Sequence, residues 1–426
     1  MQYLSLMSIK HKVASNTIFQ VIGKFITAVS TLLGTAIITR YLGAETFGEY
    51  SIVTTYILTF YLVADFGVNA LVTRDFANDE SLAKSRFPQI LSLRILFGII
   101  LIGVAAGILV FFPYAPNIKL AILLSLPLIL FNAIFRATSI IFQAFLKYRL
   151  LAIASGIGSF IGLALLAFIV FGSDSANLYT VILALLIGSA ITPLIGIYFV
   201  RDYITSKSKW IDKKYWIYVV YDALPLGLAL ILNVLLTQAD RLILSIISTS
   251  YSVGIYSLGY KIFEVMIVVP TFFMNAMYPV LIKLRDSSNE KYHTAIKSAL
   301  WIMAISAVLL TIPAIIFSAY LIPLIWGSEM SPASAPFNVL MLGSIAFFVS
   351  SPLSWVLVVE KREKVLPYLY GGGFLLNVVL NLIFIPKYDY MAAAYTTIFT
   401  EVLILVVLFI LIRDKIKLSG LPKLKI

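Results

Sequence analysis

Twelve stretches of this chain are apolar over the length that crosses a bilayer, and they recur from near the first residue to near the last. They fall at 13–38, 50–72, 88–112, 120–146, 150–171, 178–200, 216–236, 253–282, 296–317, 337–359, 365–385 and 391–412. A spanning helix takes about 20 such residues. Within hydrocarbon a backbone satisfies its own donors and acceptors only as a helix or a closed barrel. Runs of this length are helices, so the sequence predicts an all-α polytopic membrane protein with twelve transmembrane helices. Of 426 residues, 61% are apolar and only 12% charged, which leaves too little polar surface for a water-soluble domain. A soluble globular enzyme is excluded.

The charges in the connections give the orientation. Counted alternately, one side of the membrane receives 24 Lys and Arg, among them Lys84, Lys147, Arg149, Lys283 and Arg362. The other side receives four: Arg40, Lys119, Arg241 and Lys387. The positive-inside rule then places both termini in the cytoplasm. The first apolar run is too long for a signal-peptide core and reads as a retained span. The net charge of +12 is explained by this topology and not by nucleic acid. With no cysteine, thiolate catalysis and thiolate metal sites drop out. His11 and His293 are far apart in hydrophilic segments and read as solvated, so neither a metal nor a cofactor is expected.

Two echoes suggest an internal repeat. Arg40 is followed by Gly48-Glu49-Tyr50-Ser51, and Arg241 by Gly254-Ile255-Tyr256-Ser257, the glycines 206 residues apart. Lys147 and Lys361, at the cytoplasmic ends of the fourth and tenth spans, are 214 residues apart. Six spans per half is an even number, so the halves enter the membrane the same way round. Such parallel repeats enclose a site at their interface. The expected bundles are 1–206 and 207–426, two pseudo-symmetric sets of six helices, with 201–215 a solvated linker.

Four cations lie inside spans: Lys24, Arg94, Arg136 and Lys261. Each costs about 2.5–3.5 kcal/mol at a helix centre, so they are expected to face a wet or protein-lined interior. Lys24 is near the midplane, Arg94 is close enough to the cytoplasmic end to snorkel, and Lys261 is within pairing reach of Glu264. Asp65, Glu264 and Glu401 are candidates for coupling to a proton or sodium ion. An interior holding fixed positive charge favours an anionic substrate such as a phosphate or pyrophosphate head, moved by alternating access. No phosphate-binding loop for ATP is present. Gly103/Gly107 and Gly158/Gly162 fit the G-x-x-x-G spacing of helix packing. No carboxylate pair sits on an external connection, so the chain does not read as an enzyme.

The string Thr39-Arg40-Tyr41-Leu42-Gly43-Ala44-Glu45-Thr46-Phe47-Gly48-Glu49-Tyr50-Ser51 resembles the R-Y-L-G-x-x-x-F-G-x-Y-S signature of polysaccharide biosynthesis exporters. These are the Wzx-type flippases of the multidrug/oligosaccharidyl-lipid/polysaccharide (MOP) superfamily. Asp65-Phe66-Gly67-Val68-Asn69, Ala239-Asp240-Arg241, and Asn381 to Pro386 with Ala392-Ala393-Ala394-Tyr395-Thr396-Thr397 are similar to further stretches of that family. Met391 stands where a glycine is usual. The resemblance implies a MATE-like pair of bundles in the cell membrane that moves a polyprenyl-pyrophosphate-linked oligosaccharide to the outer leaflet. Its cavity charges would be Lys24, Arg136, Lys261 and Arg94, with Asp65, Glu264 and Glu401 for coupling, and its partners are membrane lipids. A cation-coupled multidrug exporter would share the architecture but call for a more acidic cavity. A peptidoglycan-precursor flippase would usually add two spans. A polymerase or ligase of lipid-linked sugars would call for a large external loop.

Overall fold

The computed structural model describes residues 2–65, 67–173, 175–204 and 209–416. The side chains of 2–18 and of some later positions, Asp65 among them, lie outside that description. The described residues hold no strand. Thirteen α-helices follow one another: α1 (Gln2–Asp65), α2 (Val68–Asn78), α3 (Glu80–Leu109), α4 (Pro116–Ser125), α5 (Pro127–Ala144), α6 (Tyr148–Gly172), α7 (Leu178–Val200), α8 (Lys213–Ile247), α9 (Ser250–Met266), α10 (Val268–Ser287), α11 (Asn289–Trp326), α12 (Ser334–Val359) and α13 (Leu366–Ile416). Among the described residues, nine helical segments are long and apolar enough to cross a membrane. The protein is an all-α, multi-pass membrane protein.

Several expected spans are joined or divided by local backbone chemistry. Pro127 and Pro270 lack the N–H that would reach back one turn, and the helix breaks near each, between α4 and α5 and between α9 and α10. Two long helices contain a sharp bend. In α1 it is Gly43, with φ +85° and ψ 171°, a region open essentially to glycine alone. In α13 it is Asp389, with φ +51° and ψ −142°. The Gly43 bend separates the first two apolar runs, which is why the Tyr-Leu-Gly string carries a glycine there. Gly43→Ala is expected to destabilise the protein by about 2 kcal/mol, read as a lowered thermal midpoint in detergent. An unchanged midpoint would show that the bend relaxes without strain.

The chain forms two compact units, Met1–Val234 and Leu235–Ile426, and the division falls inside α8. The first turns of α8 belong with unit 1 because Val219 and Ala223 are buried there in one cluster with Phe87, Ile90 and Leu91 of α3 and Phe142 of α5. The linker ahead of α8 keeps Arg201, Lys209, Lys213 and Lys214 exposed, as a solvated loop would, but it is anchored at a few points. Arg86 donates to Asp212 Oδ2 (2.8 Å) and to Gln89 Oε1 (2.8 Å), and its guanidinium lies 4.6 Å from the centre of the Tyr215 ring. Trp216 Nε1 donates to the Gln89 carbonyl (2.9 Å), and Ser92 to the Trp210 carbonyl. The Tyr215 N–H and the Arg86 guanidinium hold the Asp212 carboxyl below the usual carboxylate range. Unit 2 has its own core, where Met274 and Leu281 of α10 meet Leu353, Val356 and Leu357 of α12 and Leu408 of α13.

One of the sequence echoes reappears as backbone geometry. At the end of α5, Leu146 has φ +53°, its N–H reaches the Gln143 carbonyl and the Lys147 N–H reaches that of Phe142. At the end of α12, Lys361 has φ +57°, its N–H reaches Val358 and the Arg362 N–H reaches Leu357. Both are Schellman turns with a non-glycine residue in the left-handed position. The matching residues are Leu146 with Lys361 and Lys147 with Arg362, one step from the pairing the basic residues alone suggest. His293 is 9% exposed within α11, so it is buried and not solvated; the side chain of His11 lies outside the described residues.

The two G-x-x-x-G pairs part company. A Cβ built on Gly158 would lie 2.8 Å from the Gly188 carbonyl, and one on Gly188 would lie 2.6 Å from the Gly162 Cα. Helices α6 and α7 therefore cross nearly backbone to backbone. Around a Cβ built on Gly103 or Gly107 of α3 nothing lies within 4 Å, so that pair makes no packing seam among the described residues.

Candidate functional site

The candidate residues divide between the units. In unit 1, Lys24 is exposed on α1 and Arg136 is half-buried on α5. Arg94 does not snorkel: it is 2% exposed. It donates through Nη1 to the Ala64 carbonyl and through Nη2 to Asn69 Oδ1 (2.6 Å). Asn69 then donates to Ser139 Oγ (3.2 Å), and Ser139 to the Arg136 carbonyl (2.7 Å). Arg94 thus braces the junction of α1 and α2 against α5, reaching the Arg136 backbone. Gly67, at φ +70°, makes that junction. Asp65 ends α1, and its side chain lies outside the described residues.

The signature string is spread over the bend. Arg40 and Tyr41 are exposed, with the Tyr41 ring meeting Phe171 edge-on at 4.9 Å. Leu42 is half-buried and Gly43 forms the bend, whereas Phe47 and Gly48 are buried. Tyr50 lines a cleft of about 160 Å³ between α1, α6 and α7.

Unit 2 holds a buried polar cluster that residue-type reasoning missed. Arg241, expected in an outer connection, lies inside α8 and is 4% exposed. Its Nη2 donates to Glu264 Oε1 (2.8 Å), and its guanidinium stacks 4.3 Å from the centre of the Tyr260 ring. The partner of Glu264 is therefore Arg241 and not Lys261, which stays half-buried on α9. The reason is reach: a guanidinium on the neighbouring helix presents a planar fork, while a lysine one turn away on the same helix must fold back. Beside this pair Asp240, 2% exposed, accepts from the Tyr256 hydroxyl and from Thr397 Oγ1 (3.1 Å). The Ala-Asp-Arg and Ala-Tyr-Thr-Thr strings were the available signal, because both supply this cluster.

The same strings explain how α13 is folded on itself. Thr396 Oγ1 donates to Asn381 Oδ1 (2.6 Å), and Asn381 Nδ2 to Asn377 Oδ1 (2.8 Å), tying its two arms together across the Asp389 bend. Ser252 donates to Asp389 Oδ2 and holds the bend to α9. Further along, Glu401 is 7% exposed and accepts from Ser350 Oγ of α12 (2.6 Å). Ser354 and Tyr370 bond each other (3.0 Å), and Ser354 Oγ donates to the Ser350 backbone carbonyl (3.1 Å), one turn from the hydroxyl that holds the carboxyl. Among the described residues no group of three or more His, Asp or Glu is placed to hold a metal.

Two structures of known proteins share this fold over nearly its whole length. The lipid II flippase MurJ in an inward closed conformation superposes with a TM-score of 0.75 at 15% identity, covering 93% of this chain and 87% of that one. An inward-facing multidrug resistance MATE family transporter of the MOP superfamily superposes with a TM-score of 0.73 at 13% identity, covering 94% and 100%. In sequence, a Shigella dysenteriae protein described as "Putative O-antigen transporter" is 26% identical over 381 residues, 88% of this chain and 92% of its own length. Residues 225–383 match the MatE family. Residues 13–285 match the polysaccharide biosynthesis protein family, and with well over half of the sequence so matched, the chain belongs to that family.

Proposed function

We propose that this protein flips a polyprenyl-pyrophosphate-linked oligosaccharide from the cytoplasmic to the outer leaflet of the cell membrane by alternating access. It is a transporter and not an enzyme. The family match over residues 13–285, together with the near full-length likeness to a protein described as an O-antigen transporter, carries this reading. We read twelve spans by counting the two arms on either side of the bends at Gly43 and Asp389 separately and adding α8 to the nine apolar segments among the described residues. The basic connections then keep both termini in the cytoplasm.

In this reading Lys24, Arg136 and Lys261 meet the pyrophosphate, since a cation shielded from bulk water attracts phosphate far more strongly than one in water. Arg94 acts as a positioning residue by bracing α2 against α5. Glu401 is the candidate for a coupling proton, because it is a buried acid that accepts from the Ser350 hydroxyl. A cation-coupled drug exporter is the second reading, favoured by the MatE match and the MATE likeness.

The test is export of surface polysaccharide by cells lacking the native transporter, at matched protein levels. Lys24→Ala and Arg136→Ala are each expected to reduce export at least tenfold, about 1.4 kcal/mol or more of lost interaction. Lys207→Ala, in the linker outside the described residues, is expected to leave export unchanged. Full export by both cavity variants would remove their role. Drug efflux without polysaccharide export would favour the second reading.

A further inference from the structure

The cleft between α1, α6 and α7 has no part in the reading above. No charged residue borders it. Ser30, Thr31, Tyr50, Ser159, Ser189 and Thr192 line its polar side, and glycines make part of its floor. A volume of about 160 Å³ is room for roughly five waters at about 30 Å³ each, close to the space of one sugar ring.

The hydroxyls differ in what they offer. Thr31 Oγ1 donates to the Thr27 carbonyl (2.9 Å), and Thr192 Oγ1 to that of Gly188 (3.4 Å). Their protons are directed into their own helices, so what they present to the cleft is acceptor lone pairs. Ser30, Ser159 and Ser189 make no side-chain hydrogen bond among the described residues, and each can both donate and accept. Tyr50 lines the cleft beside them, and Ile38, Leu163, Leu166 and Leu185 give it an apolar side. An uncharged ligand rich in hydroxyls, with one apolar face, matches that set. A phosphate does not, since no cation lines the cleft, and an acyl chain would leave the hydroxyls unanswered.

The position is the second observation. Lys24 and Thr31 are seven residues apart on α1, so they share a face to within about 20° and stand roughly 10 Å apart along the axis. A molecule with its anionic group at Lys24 and a neutral polar portion one step further out would place that portion at the mouth of the cleft.

We propose that this cleft is a saccharide subsite: it binds a neutral sugar unit of the transported lipid next to the pyrophosphate held at Lys24. The inference rests on the flippase reading, and its test separates the two. In the first arm, the full-length protein in lipid nanodiscs is mixed with free neutral di- and trisaccharides, and saturation-transfer NMR reads their contact with the protein. Transfer is expected with the wild type and with Lys24→Ala, and at least a fivefold loss with Ser159→Leu/Ser189→Leu. Thr31→Val, of nearly unchanged shape, gives a milder loss in the same direction and covers the case in which the double variant does not fold. Absence of transfer from the wild type to every sugar, or equal transfer from all variants, overturns the subsite.

In the second arm, proteoliposomes translocate a polyprenyl-pyrophosphate trisaccharide with bare polyprenyl pyrophosphate as competitor. The leucine variant is expected to raise the KM for the trisaccharide lipid about tenfold while the competitor's inhibition constant stays as in the wild type. Leucines that leave or improve translocation would mean the cleft holds an acyl chain, which also overturns the proposal. A wild type that moves neither lipid refutes the flippase reading, while the first arm still decides whether the cleft binds sugar.

Discussion

Arg241→Ala is expected to destabilise unit 2 by about 2–3 kcal/mol, the scale of a charge-assisted hydrogen bond whose guanidinium is buried while its Glu264 partner is half-exposed. The guanidinium bonds Glu264 and covers the Tyr260 ring, and Asp240 lies beside it with its carboxyl in the same buried cluster. Alanine removes the bond and the ring contact and leaves Glu264 without its cation, while Asp240 keeps its bonds from Tyr256, Thr397 and the backbone N–H of residue 241. Arg241→Lys keeps the charge but loses the planar fork and the ring stack, so it is expected to fall between alanine and wild type. Arg241→Met/Glu264→Gln, which removes both charges and refills the space, is expected to regain part of the loss. Thermal unfolding in detergent, followed by intrinsic fluorescence, gives the order. A double variant no better than alanine would mean that the pair is not what fastens α8 to α9.

Gly188→Val is expected to cost about 3 kcal/mol, the upper end of what extra volume does in a packed interior. A Cβ at Gly188 would stand 2.6 Å from the Gly162 Cα and 2.8 Å from the Gly158 carbonyl. Both obstacles are backbone, so no rotamer change relieves them and α6 must move away from α7. The comparison is Gly103→Val on α3, where nothing lies within 4 Å and the midpoint is expected to hold or rise. Equal midpoints for the two valines would show that the α6–α7 seam does not depend on bare backbone. Because the seam also floors the hydroxyl-lined cleft, Gly188→Val is expected to weaken any sugar contact there as well.

Legibility from the sequence was uneven, and the physics says where. The spans were readable because burial in hydrocarbon forces long apolar runs, a constraint that leaves little freedom. Helix-packing glycines were readable only as candidates: Gly158/Gly162 and Gly103/Gly107 share one spacing, and whether a neighbour arrives depends on tertiary placement. Buried charges were harder still. Glu264 has a lysine one turn before it, and the local rule predicts that pair, yet an arginine from the preceding helix wins by geometry. Arg94 has a side chain long enough to reach water but is used at Ala64 and Asn69. Asp240 and Thr397 stood out only as parts of family strings, since no periodicity marks a residue whose partner lies far along the chain.

The docking of the first half of α8 onto α3 has a practical corollary for anyone dissecting the molecule. The linker invites a cut just ahead of Trp210, giving two fragments that look like natural halves. Such a cut would strand Trp216, Val219 and Ala223 on the C-terminal piece and strip their cover from Phe87 and Ile90. Each fragment would then show a sticky face to the other or to its own kind. Co-expressed pieces would find each other through that shared helix, and pieces made alone would aggregate.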